Sequence, residues 1–128
     1  MPTFPVVTGD VLTSTIFNGL PAFTVQTAKT VDYTAVSGDE YQQLIPMNKA
    51  TAIAFKIPTD ATFAFPVGTV ITILNIGAGT CTISATTSAT TTVLSAGAVA
   101  AQPTLGQYKS AACIKTAANA WYIVGAIG

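Results

Sequence analysis

The clearest order along this chain is an alternation of apolar and polar positions with a period of two. It is sharpest in Ala52-Ile53-Ala54-Phe55-Lys56-Ile57, where Ile53, Phe55 and Ile57 share one side, Lys56 takes the other, and Pro58 ends the strand. A second run, residues 69–76, passes through Gly77-Ala78-Gly79 into Thr80-Cys81-Thr82-Ile83-Ser84. Two strand-forming runs joined by a short glycine-bearing link predict a hairpin. A third pair, 109–116 and 120–124, meets at Ala117-Ala118-Asn119, and Asn accepts the left-handed backbone of a tight turn. Between these pairs, 85–104 is almost wholly Ala, Thr, Ser, Val and Gly. Residues 90–94 predict a short strand there, and the remainder reads as loop or as an edge element against a neighbour.

The front of the chain has a different pattern. Residues 9–19 hold the one candidate helix, a single turn capped by Thr13, with Ser14 and Thr15 in its first positions and Gly19 as its stop. One turn does not persist alone in water, so it must dock on something. Residues 1–22 are therefore expected to be a docking arm whose partner-binding residues are Val11, Leu12, Ile16, Phe17 and Leu20, and residues 23–128 a β domain. The expected fold is all-β: an antiparallel β-sandwich or small barrel behind a short N-terminal arm containing one helical turn. Hairpins at this spacing suit either architecture.

Composition changes what such a domain is for. The 128 residues suit one domain. Half are apolar and only 8% are charged: five Lys, five Asp or Glu, no Arg and no His. A small soluble monomer carries roughly 25–35% Lys, Arg, Glu and Asp on its surface. So bare a surface predicts cover by other copies or by a larger assembly. Net charge is zero and no two Lys adjoin, which argues against nucleic acid or an anionic membrane as partner. No apolar run approaches the ~18–20 residues of a membrane helix. Met1-Pro2-Thr3-Phe4-Pro5 lacks a basic, then apolar, leader, so synthesis without export is expected.

The same poverty removes the usual chemistry. Nucleophilic hydroxyls need an activating base, and this chain has no His. Gly77-Ala78-Gly79 lacks the Lys of a phosphate loop. Cys81 and Cys113 are isolated, outside any CxxC pair, so a zinc site is not expected. They read as small apolar fillers on inward strand faces, with a disulfide between them as the alternative. Asp39-Glu40 reads as the start of a solvated turn after Gly38, rather than a cation site. Trp121 and Tyr122, neighbours in a strand, face opposite sides, one into the core and one outward. No catalytic residue, cofactor or metal ligand is expected, and no enzymatic activity.

Several pieces taken together resemble a β domain of tailed-bacteriophage virion structural proteins. Over 33–124 they are Tyr33 and Asp39 leading to Leu44-Ile45-Pro46-Met47-Asn48, the alternating strand into Ile57-Pro58, Phe65-Pro66-Val67-Gly68-Thr69, Ile76-Gly77-Ala78-Gly79, Ser110 to Lys115, and Asn119 to Val124 with Gly125 following. In the arm, Gly9-Asp10-Val11-Leu12-Thr13 with Asn18 is similar to the openings of phage tail and head appendage proteins, although Ile16-Phe17 is bulkier than that pattern. The segment 85–104 is also longer and richer in Ala and Thr. The resemblance implies a virion protein assembled in the host cytoplasm, a homo-oligomer, most simply a trimer, contacting the major capsid protein or another virion protein. The short arm leaves no room for a shaft, favouring a capsid decoration (cement) protein or short head fibre. The alternative is a tail-fibre module that recognises a host glycan through outward Trp121, Tyr41 or Tyr108.

Overall fold

The period-two alternation becomes burial. In the strand Ile53–Ile57, Ile53, Phe55 and Ile57 are buried while Ala54 and Lys56 are partly exposed. A computed structural model describes residues 23–41, 43–96 and 102–127, and every regular element among them is a strand. In chain order these are β1 Thr24–Val25, β2 Tyr33–Thr34, β3 Gln43–Met47, β4 Ile53–Ile57, β5 Val70–Asn75, β6 Cys81–Ala85, β7 Thr92–Ser95, β8 Thr104–Leu105, β9 Lys109–Ala117 and β10 Ala120–Gly125. The predicted helical turn at 13–19 lies outside the described residues.

The strands form a six-stranded sheet, β1-β3-β5-β9-β10-β7, and a four-stranded sheet, β2-β4-β6-β8. The all-β expectation holds, but the sheets are mixed rather than antiparallel. From β1 to β9 the chain crosses to the other sheet after every strand. Strands β1, β3 and β5 run parallel in one sheet, and β2, β4 and β6 run parallel in the other. The path is thus a coil, each turn laying one strand on each sheet. Its last full turn advances the register by the same 28 positions on both sides, Ile45 to Ile73 and Ile53 to Cys81.

The predicted hairpin at Gly77-Ala78-Gly79 is therefore wrong. That link carries the chain from β5 in one sheet to β6 in the other and stacks on the preceding corner. Gly79 N–H donates to the Lys49 carbonyl at 2.9 Å, and Ile76 N–H to the Met47 carbonyl at 2.9 Å. A Cβ on Gly79 would run into the Thr51 carbonyl, and one on Gly77 into the backbone of Lys49. The glycines serve close approach of two corners, not a reversal. The buried Asn75 side chain ties the corner from below. Its amide donates to the carbonyls of Gly79 (2.9 Å) and Leu105 (2.7 Å), and its oxygen accepts from Gly77 N–H at 3.2 Å.

The predicted β9–β10 hairpin is present. Asn119 takes the left-handed conformation (φ 51°) at its turn, with a register shift between Ala120 and Trp121. The short strand expected at 90–94 is β7, parallel to β10, and β8 is a further strand that small-residue composition concealed. One apolar core draws on both sheets, with Ile45, Ile71 and Ile73 from the larger and Phe55, Ile57 and Ile83 from the smaller.

Candidate functional site

Three places gather polar or reactive side chains, and each is bound up with the fold. The first lies at the turn end of the β9–β10 hairpin. Lys115 alternates inward on β9, is 3% exposed, and meets Asp60 at 2.8 Å. Its ammonium also donates to the Phe65 carbonyl at 2.6 Å. Asp60 and Asn119 exchange two bonds: Asp60 N–H to Asn119 Oδ1 (2.8 Å) and Asn119 N–H to Asp60 Oδ2 (3.2 Å). The Thr91 hydroxyl donates to the same Asn119 oxygen at 3.2 Å. A buried ammonium needs a counter-charge and acceptors, and this set supplies both. Nearby, Trp121 packs edge-on against Phe65 with ring centroids 5.7 Å apart. Among the described residues its indole N–H finds no acceptor.

The second is centred on Asp39, which is buried rather than solvated as expected. It closes a turn with Val36, and its carboxylate accepts from Val36 N–H (2.9 Å), the Tyr33 hydroxyl (2.7 Å) and Gln26 Nε2 (2.8 Å). Sequence reasoning missed this because two of the donors, Gln26 and Tyr33, are brought to Asp39 only by the fold. Burial, then the bond to Asp39 and that carboxylate's charge, push the Tyr33 phenol well above its ordinary range. The Lys29 ammonium sits over the Tyr33 ring, 4.4 Å from its centroid. All of these residues precede β3, so the cluster braces the first turn of the coil.

The third is the pair of cysteines, both free and buried, on inward faces of opposite sheets, as the filler reading expects. Burial pushes the Cys81 thiol up to about 11, opposed by a backbone hydrogen bond from Phe55 and aided by Asp32. Burial raises Cys113 further, with Cys81 a smaller contribution. Both thiols are held neutral, the unreactive form. Among the described residues no three His, Cys, Asp or Glu side chains gather in a metal-binding group.

The outer faces of the two sheets differ more than anything inside. On the four-stranded sheet the outward register rows are Thr34, Lys56 and Ser84, and Ala54, Thr82 and Thr104. On the six-stranded sheet one outward row is Val70, Ile114, Tyr122 and Leu94, crossing β5, β9, β10 and β7. The next is Leu44, Thr72, Ala112 and Val124. Neither of those two rows carries a charge. Leu94, Val70, Tyr122 and Val124 are each between 38% and 48% exposed. Where β7 and β10 end, Leu94, Ala96, Tyr122, Val124 and Ile127 line an apolar groove.

The predicted docking residues Val11, Leu12, Ile16, Phe17 and Leu20 lie outside the described residues. Trp121 is the inward member of its pair at 1% exposure, and Tyr122 the outward one. No family model matches this chain, and neither a curated protein nor a solved structure matches it.

Proposed function

We propose that this protein is a structural subunit of a bacteriophage virion, a capsid decoration or short head-fibre protein that works as a homotrimer and performs no reaction. One observation carries the reading: a chain with ten charged side chains leaves a broad face of its larger sheet uncharged and apolar. Monomers rarely tolerate such a face uncovered. The sequence resemblance to virion β domains supplies the kind of assembly. The two sheets are read as the layers of a sandwich, because one apolar core draws side chains from both and no strand pairing among the described residues closes either sheet into a barrel. In this reading residues 1–22 hold the shell, and the buried contact between capsomers stabilises it.

Antibody labelling of purified virions tests the proposal. Signal over heads is expected, lost on deleting residues 1–20 while the β domain stays folded and oligomeric. Absence of the protein from virions overturns it, and a truncated chain that still decorates heads removes the arm's role.

A second reading is a tail-tip module binding host glycan. Tyr108 favours it: 76% exposed, it holds a left-handed conformation (φ 64°) that a Tyr adopts only at a cost. Trp121, the strongest stacking side chain, is in the core and unavailable to it. Signal over tails, with binding of the purified protein to host cells, is the outcome that selects this reading.

A further inference from the structure

We infer that the outer face of the six-stranded sheet is the self-association surface of this protein and that its occupant is further copies of the same chain. The inference rests on the homo-oligomer reading above and adds to it the place of contact. In a trimer this face turns toward the threefold axis, where each copy's face meets the other two.

Charge argues for a copy of itself. The central outward rows, Val70-Ile114-Tyr122-Leu94 and Leu44-Thr72-Ala112-Val124, hold no ionic group, and the chain as a whole is neutral. Nucleic acid, an acidic peptide or an anionic lipid surface needs cations at the contact, and these rows offer none. A neutral apolar face is complementary to its own kind, and copies of a neutral chain approach without repulsion. The charges near this sheet sit elsewhere: Lys115 points inward to Asp60, and Lys109 lies on the inward row with Asn75. The opposite face of the molecule carries Lys56 among Thr and Ser.

Size argues the same way. Strands lie about 4.8 Å apart and rise about 3.4 Å per residue, so the five strands β3, β5, β9, β10 and β7 project on the order of 500 Å² per copy. Contact on that scale buries on the order of 1,000 Å² between two copies, the threshold for a specific interface and the regime of micromolar rather than permanent association. Tyr122 stands on β10, next to the edge strand β7 and flanked by Ile114 and Leu94, and it is of the aromatic residue type that dominates interface energetics.

Sedimentation velocity of the full chain across a concentration series tests the inference, beside Tyr122→Lys and Leu94→Lys on this face and Thr82→Lys on the other. The wild type is expected to sediment above the 13.0 kDa of one chain. Tyr122→Lys should weaken association about 100-fold, keeping the far-ultraviolet strand signature, while Thr82→Lys leaves it unchanged. Hydroxyl-radical footprinting of the wild type needs no variant. Tyr122 and Val124 should lose labelling as concentration rises, whereas Tyr41 and Tyr108 should not. A wild type that stays one chain overturns both this inference and the homo-oligomer reading. An oligomer in which Tyr122 stays fully labelled, or that survives Tyr122→Lys, overturns this inference alone. A dimer protected at Tyr122 supports the face and overturns the trimer.

Discussion

The coil of β1 to β6 and the hairpin of β9 and β10 hold their strands together by opposite means. In the coil, neighbours in a sheet are separated by a full turn, so every pairing is parallel and long-range. Such pairing depends on corners stacking closely, hence Gly77 and Gly79 against Lys49 and Thr51, with Asn75 filling hydrogen bonds beneath. The hairpin pairs residues adjacent in sequence and needs only a left-handed Asn119. What it adds is the inward Lys115 neutralised by Asp60. The coil therefore tolerates no added volume at its corners, while the hairpin tolerates no unpaired charge in its core.

The largest expected effect breaks the coil. Gly79→Ala drives a methyl into the Thr51 carbonyl and should cost on the order of 4–5 kcal/mol, or prevent folding. Gly106→Ala is the contrast, because its added methyl would touch only the Lys109 side chain at 3.6 Å. It should cost less than about 1 kcal/mol. Urea unfolding of the two variants measures the difference, and equal losses would mean that corner stacking is not what holds the coil.

Next comes the hairpin. Asp60→Asn leaves the Lys115 charge buried without a counter-charge and should cost about 3 kcal/mol, less than a fully buried pair because Asp60 is partly exposed. Adding Lys115→Met should restore much of that loss, since an apolar side chain needs no partner there. If the double variant is less stable than Asp60→Asn alone, the pair contributes net stability and the comparison must be redrawn.

The thiols probe the core between the two regions through pH. Cys81 is raised from an ordinary 9.0 to about 11 in the fold, so the unfolded chain loses the proton first. The stabilisation is complete below about pH 9 and is lost as pH rises through about 11, a change of at most about 2–3 kcal/mol. Cys113 shifts in the same direction. Unfolding midpoints at pH 8 and pH 10.5 should fall further for the wild type than for Cys81→Ala/Cys113→Ala. Parallel declines would show that the thiols are not the alkaline weak point.

The smallest effect is a gain. Tyr108 lies in the turn between β8 and β9, left-handed and exposed. Tyr108→Asn should stabilise by up to about 1 kcal/mol, raising the thermal midpoint by a few degrees. No gain would mean that Tyr108 makes contacts offsetting its backbone cost.

Legibility followed sequence distance. The β4 strand, the β9–β10 hairpin and the opposite facing of Trp121 and Tyr122 were readable, because period two and a turn residue are local signals, but which of the two faces inward was not. The link at Gly77-Ala78-Gly79 misled, because a corner between sheets and a reversal within one use the same short, glycine-bearing vocabulary. Asp39 looked solvated because its partners Gln26 and Tyr33 are brought to it only by the coil. The uncharged outer face was half legible: scarcity of charge was plain in composition, but its concentration on one sheet was not.

By itself, the sequence determined that this chain is made of strands and where most of them run, because those properties depend on residues two or three positions apart. Only the tertiary structure decided that the strands alternate between two sheets, that most pair in parallel, and that one outer face is left bare of charge. Those outcomes depend on which strands, with partners up to 44 positions apart, come to lie side by side. That choice is made by corner packing and core closure, which no short stretch of sequence contains.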